Sequence, residues 1–162
     1  MGSVSKRLLA TAYHEAGHAV AARHEGRATK RVTIVPEGDT LGVCSFYPLR
    51  ETESFAWDAS TRNRIRIERL IISALGGCAA EARFVGRHNL IGAHADWHFA
   101  ADLSTSQAAS DEEADAYLNW LWERTRTIFR LDAWWDLTTG LAEALVEHRT
   151  MSATEVKSRL RL

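Results

Sequence analysis

The segment His14-Glu15-Ala16-Gly17-His18, set in a run of small and apolar residues from Ala10 to Ala22, constrains this chain more than any other feature. Leu8, Leu9, Ala12, Ala16, Ala19 and Val20 recur at three- and four-residue spacings, which predicts a helix over 5–25. Ser3 or Ser5 is placed to cap its start and Gly26 to stop it. Residues four apart on a helix lie one turn above each other, so both imidazoles face the same way and can reach one ion. A zinc ion suits such a pair, with Zn–N bonds of about 2.0–2.1 Å. Glu15 is one position along, too far round to ligate easily, but close enough to take a proton from a water that zinc has acidified. Such a site needs a third protein ligand. His88, His94, Asp96, His98 and Asp102 are the downstream candidates, and spacing alone does not choose among them. His24 follows His14 by ten residues, but Ala21 stands where a turn glycine would be needed to bring it round. The expectation is that His24 stays away from the ion.

The rest of the chain reads as one α+β domain over 1–162, mainly helical. RVTIV (31–35) and LGVCSFY (41–47), separated by Pro36-Glu37-Gly38-Asp39, predict two neighbouring strands. A loop is expected from Pro48 to about Ser54 and a second long helix from about Asp58 to Phe84. That helix would turn Ile65, Leu70, Ile71, Ala74 and Leu75 inward and spread Arg62, Arg64, Arg66 and Arg69 over a solvated face. Its small residues Gly76 to Ala80 would let another helix pack close. After a loop over 86–95, helices are predicted at 96–109, 111–130 and 132–148, with a short one over 152–160. The tryptophans at 120, 122, 134 and 135 are assigned to packing between these helices. Strand 41–47 could pair with an extended substrate along its edge.

Composition narrows the functional classes. Twenty Lys+Arg against 21 Asp+Glu leave a net charge of −1, without the basic excess of a nucleic-acid module. No apolar run approaches the roughly 18 residues of a membrane span. The N-terminal segment meets Glu15 too early for a signal peptide. Cys44 and Cys78 lie 34 positions apart, in no metal-type spacing, and suit two free thiols in a reducing cytoplasm.

Several segments together resemble the peptidase domain of the FtsH family of ATP-dependent zinc metalloproteases. They are TAYHEAGHAVAA (11–22), KRVTIVPEGDTLGVCSFYP (30–48), LGGCAAEARFVG (75–86), IGAHAD (91–96) and LAEALVEHRTMSATEVKSRL (141–160). The resemblance implies a zincin-type active-site helix, a small β element, a C-terminal helical bundle and a Zn²⁺ cofactor. It assigns the third zinc ligand to Asp96, the aspartate of the GAxxD segment, beside His14 and His18. It maps the AAE glutamate onto Glu81, in a role that orients a zinc-bound imidazole. Glu15 is then general base and proton donor in a metalloendopeptidase acting on unfolded or flexible polypeptides. His98 is a candidate substrate contact. The family also implies homo-oligomers, hexamers in particular. These 162 residues contain no GxxxxGK[ST] phosphate-binding sequence. ATP-independent cleavage of flexible chains, or delivery of substrate by a separate ATPase, is therefore the expectation. The alternative is a catalytically silent zinc-binding interaction or regulatory module on the same fold; the intact Glu15 argues against it.

Overall fold

The computed structural model describes residues 4–47, 60–87 and 94–161. Ser3, His88, the expected start of the second helix at Asp58, the loop over 48–54 and most of that over 86–95 lie outside the described residues. Within them, six helices and three short strands follow one another: α1 (Lys6–His24), β1 (Thr29–Thr33), β2 (Val43–Phe46), α2 (Thr61–Val85), α3 (His94–Thr105), α4 (Asp111–Arg130), α5 (Asp132–His148), β3 (Thr150–Ser152) and α6 (Ala153–Arg159).

Helix α1 starts where Ser5 accepts the Leu8 N–H at 3.2 Å and ends before Gly26, whose φ of 74° a side chain would resist. Between Ala12 and Ala22 every residue is buried except His14, which is half-buried. An amphipathic surface helix would bury one stripe only. Here α2 and α5 both pack on α1, so it runs through the centre of the molecule. Glycine makes the α1–α2 approach close. A Cβ on Gly17 would collide with the carbonyl oxygen of Gly76, and one on Gly76 would come within 2.6 Å of the Gly17 carbonyl oxygen. This contact, rather than helix propensity, accounts for two glycines that each cost about 1 kcal/mol relative to alanine.

Helix α2 begins at the Ser60 cap and ends at Gly86, whose φ of 80° is left-handed. Leu70, Ile71 and Leu75 enter the core as expected, joined by Ile72; Ala74 is half-buried along the cleft, Arg62, Arg64 and Arg69 are exposed, and Arg66 is half-buried. Ile65 departs from the expectation: it is 44% exposed. The three strands form an antiparallel sheet in the order β2-β1-β3. Val32 faces Cys44 on one side and Met151 on the other, with an irregularity between Thr29 and Arg31. The third strand was not foreseen; residues 150–152 end in Ser152, the N-cap of the Ser152–Glu155 capping box of α6, and add to the free edge of β1.

One continuous core joins Val20, Val32, Ile71, Leu75, Phe129, Leu141, Leu145 and Val156 across these elements. Tyr13 stacks on Phe84 at 4.0 Å and on Trp135 at 5.4 Å, fastening α1 to α2 and α5. Trp97 and Trp122 meet at 5.1 Å between α3 and α4. Trp120 is the exception among the tryptophans assigned to packing, at 49% exposed.

Candidate metal centre

Three elements bring their side chains to one point. From α1 come His14 and His18, whose Nε2 atoms are 3.0 Å apart. From the first turn of α3 comes Asp96, whose Oδ2 lies 3.1 Å from His14 Nε2 and 3.3 Å from His18 Nε2. Helix α2 supplies the support behind them. His14 Nδ1–H donates to Glu81 Oε2 at 2.9 Å, and His18 Nδ1–H donates to the Ser73 carbonyl at 2.9 Å. Each imidazole is thus held by its far nitrogen, and its near nitrogen faces the meeting point. Gly77 clears the way: a Cβ there would strike the His18 ring.

Among the described residues, His14, His18 and Asp96 are the only group of three such donors that could hold a metal ion. His94, His98 and Asp102, the other candidates within the described residues, do not join it. His94 and His98 contact each other instead, at 2.9 Å between their Nε2 atoms. His24 bonds its neighbour Glu25 at 2.8 Å and meets Trp134 edge-on, away from the cluster.

Electrostatics describe a place prepared for positive charge. Burial alone would depress the pKa of His14, but hydrogen bonds to Asp96 and Glu81 and the charges of Glu15 and Asp96 bring it up to about 10. His18 is likewise raised against the effect of its burial, chiefly by Asp96. Burial would raise Asp96, yet the charge of His18 and hydrogen bonds from both imidazoles hold it well below the usual carboxylate range. The carboxylates favour positive charge at the imidazoles, and a divalent cation can supply it. Two neutral imidazoles and one carboxylate, each imidazole oriented by an outer acceptor, form a donor set that fits zinc.

Glu15 sits beside this cluster, 6% exposed. Its carboxylate accepts the Cys44 N–H, and burial is the largest influence raising its pKa, partly opposed by the two histidines. Gly42 lets the chain leading into β2 close over it: a Cβ there would come within 2.9 Å of Glu15 Oε1. The whole group opens into a cleft of about 1010 Å³ whose walls include Arg7, Thr11, Leu41, Val43, Leu70 and Phe99. His94 lines this cleft; His98 is exposed and is not among its lining residues.

One residue near the site was missed by sequence reasoning. Cys78 Sγ lies 3.8 Å from Asp96 Oδ2, and its thiol donates to the carboxylate. Burial, then the charges of Asp96 and Glu81, push its pKa far up, so it stays protonated. The available signal was its place one turn before Glu81 on the same face of α2.

A buried helix bearing two histidines four apart, a glutamate between them and a carboxylate delivered from a later helix is metalloprotease-like in class. A family model, peptidase family M41, matches residues 3–111. The chain belongs to that family. It is 36% identical over 107 residues to an ATP-dependent zinc metalloprotease FtsH of Buchnera aphidicola, covering 64% of this chain and 16% of that protein. It is 27% identical over 181 residues to the ATP-dependent zinc metalloprotease YME1L1 of Mus musculus, covering 94% of this chain and 24% of that one. Rice FTSH 9, an ATP-dependent zinc metalloprotease described as chloroplastic/mitochondrial, is 30% identical over 116 residues, 70% of this chain and 14% of its own. The chain spans about a quarter or less of the length of these relatives. Among the described residues no helix is long and apolar enough to cross a membrane.

Proposed function

We propose that this domain is a zinc metalloendopeptidase in which His14, His18 and Asp96 hold the ion and Glu15 moves the protons. The observation that carries the reading is the convergence of three donor atoms beside a buried carboxylate at the floor of an open cleft. Bound there, zinc supplies Lewis acidity toward the scissile carbonyl and toward the attacking water. Glu15 takes a proton from that water as its oxygen adds to the carbonyl carbon. As the carbon–nitrogen bond breaks, Glu15 returns the proton to the departing amine. Burial supports this role, because a raised pKa brings a carboxylate nearer to the range in which a general base also reprotonates. Glu81 keeps His14 Nδ1 protonated and its ring in place.

The substrate in this reading is an unfolded or flexible polypeptide. Strand β2 lies at the edge of the sheet and lines the cleft through Val43, Cys44 and Phe46. An extended chain added to that edge would be held by its own backbone groups, without regard to sequence. An ATPase that delivers unfolded chains belongs to the same reading, supported by the ATP dependence in the relatives' names and by their greater length; self-association belongs to it on the family resemblance alone. We place the domain in the cytoplasm on the strength of the free thiols of Cys44 and Cys78.

The test is Glu15→Gln, assayed for zinc content and for cleavage of casein as an unfolded protein. Zinc should remain stoichiometric while cleavage falls by about two to four orders of magnitude. Equal cleavage by the variant would remove Glu15 from the mechanism. A parent that holds zinc but never cleaves would favour the silent module.

A further inference from the structure

Helix α3 carries a second histidine pair on the rim of the cleft. We propose that His94 and His98 form a second, weaker binding site for a first-row divalent transition-metal ion. The two residues are four apart, like His14 and His18, and their Nε2 atoms lie 2.9 Å from each other against 3.0 Å in the α1 pair. Their rings meet edge to face at 4.1 Å between centroids, as the α1 rings do at 4.7 Å. Two nitrogens each about 2.0–2.1 Å from one tetrahedral ion stand about 3.3 Å apart, so the pair needs to open by only a few tenths of an ångström.

Packing does not account for the arrangement. Both histidines are exposed, so burial does not fix their positions. Among the described residues no third histidine, cysteine or carboxylate joins the pair to make a closed site. Water would therefore complete the coordination, and the ion would exchange readily. Imidazole suits copper, nickel and zinc, and the ordinary order of divalent affinities puts copper first. Because His94 lines the cleft, an ion held here stands at its mouth, on the same helical turn as Asp96.

Copper(II) added to zinc-loaded, dialysed protein tests the site, with zinc followed by elemental analysis and copper by paramagnetic resonance. The parent should take one equivalent of copper with nitrogen hyperfine structure while keeping its zinc. His98→Ala and His94→Ala should each weaken that uptake by at least the roughly 10- to 100-fold that loss of an outer partner costs, with zinc unchanged. His24→Ala, on another face, should behave as the parent. Copper uptake of equal strength in His98→Ala, no added equivalent in the parent, or copper that enters only by expelling zinc would each overturn the proposal. A parent that binds copper at this pair but carries no zinc would instead count against the His14–His18–Asp96 reading.

Discussion

Helices α1 and α3 each present two histidines four residues apart with Nε2 atoms about 3 Å from one another, yet they sit in opposite surroundings. The α1 pair is enclosed by α2, tied through both Nδ1 atoms and faced by Asp96. The α3 pair is exposed. The residue after the first histidine is Glu15 in α1 and Ala95 in α3. Helical spacing alone therefore makes a two-nitrogen chelate, which either helix provides. A third donor, outer acceptors and a neighbouring base turn one chelate into a candidate catalytic centre, and those come from tertiary structure.

If that contrast is right, the largest effect comes from removing the ion. A chelator should abolish cleavage entirely while far-ultraviolet circular dichroism keeps most of its helical signal, because the core that joins α1 to α6 does not depend on the metal. Zinc fingers behave otherwise, since their folding free energy comes largely from the metal. Global loss of helicity on chelation would contradict this.

Next in size is the outer support that the α1 pair has and that no described residue gives the α3 pair. Glu81→Gln keeps the shape but replaces a carboxylate acceptor by a neutral amide at His14 Nδ1. Zinc affinity, measured by competition with a fluorescent chelator, should fall by about 10- to 100-fold. An unchanged affinity would show that Glu81 is only a buried helix carboxylate with no part in holding the ion.

The smallest effect is expected at Cys78. A thiol is a weak donor, and at 3.8 Å from Asp96 Oδ2 it supports the carboxylate only slightly. Cys78→Ala should lower zinc affinity by less than about tenfold, below the range for a strong outer partner. A loss as large as that of Glu81→Gln would make the thiol an equal support of the site.

The same division governs what could be read from the amino-acid order. His14, Glu15 and His18 were legible because one helix sets their relation. Asp96 and Glu81 were reached only through resemblance, because their meeting with α1 depends on how α2 and α3 pack. Cys78 looked like one more small residue in a close-packed run. Strand β3 was invisible for another reason. Three residues carry too little pattern to mark a strand, and Thr150–Ser152 pair with β1 across more than a hundred positions, directly before a helix cap that reads clearly. Ile65 was assigned inward on its spacing and Trp120 on residue type, but each lies on a helix face that no other described element covers fully.

Zinc content after dialysis against metal-free buffer, determined by elemental analysis on Asp96→Ala, His94→Ala, His98→Ala and Asp102→Ala, tests the central claim most directly. The arrangement of the site predicts that Asp96→Ala loses its zinc, with affinity reduced by at least the roughly 10- to 100-fold typical of outer-partner losses, while the other three retain close to one equivalent. A metal-replete Asp96→Ala beside a metal-free His94→Ala would contradict it, and would transfer the third-ligand role from the carboxylate to the α3 histidine.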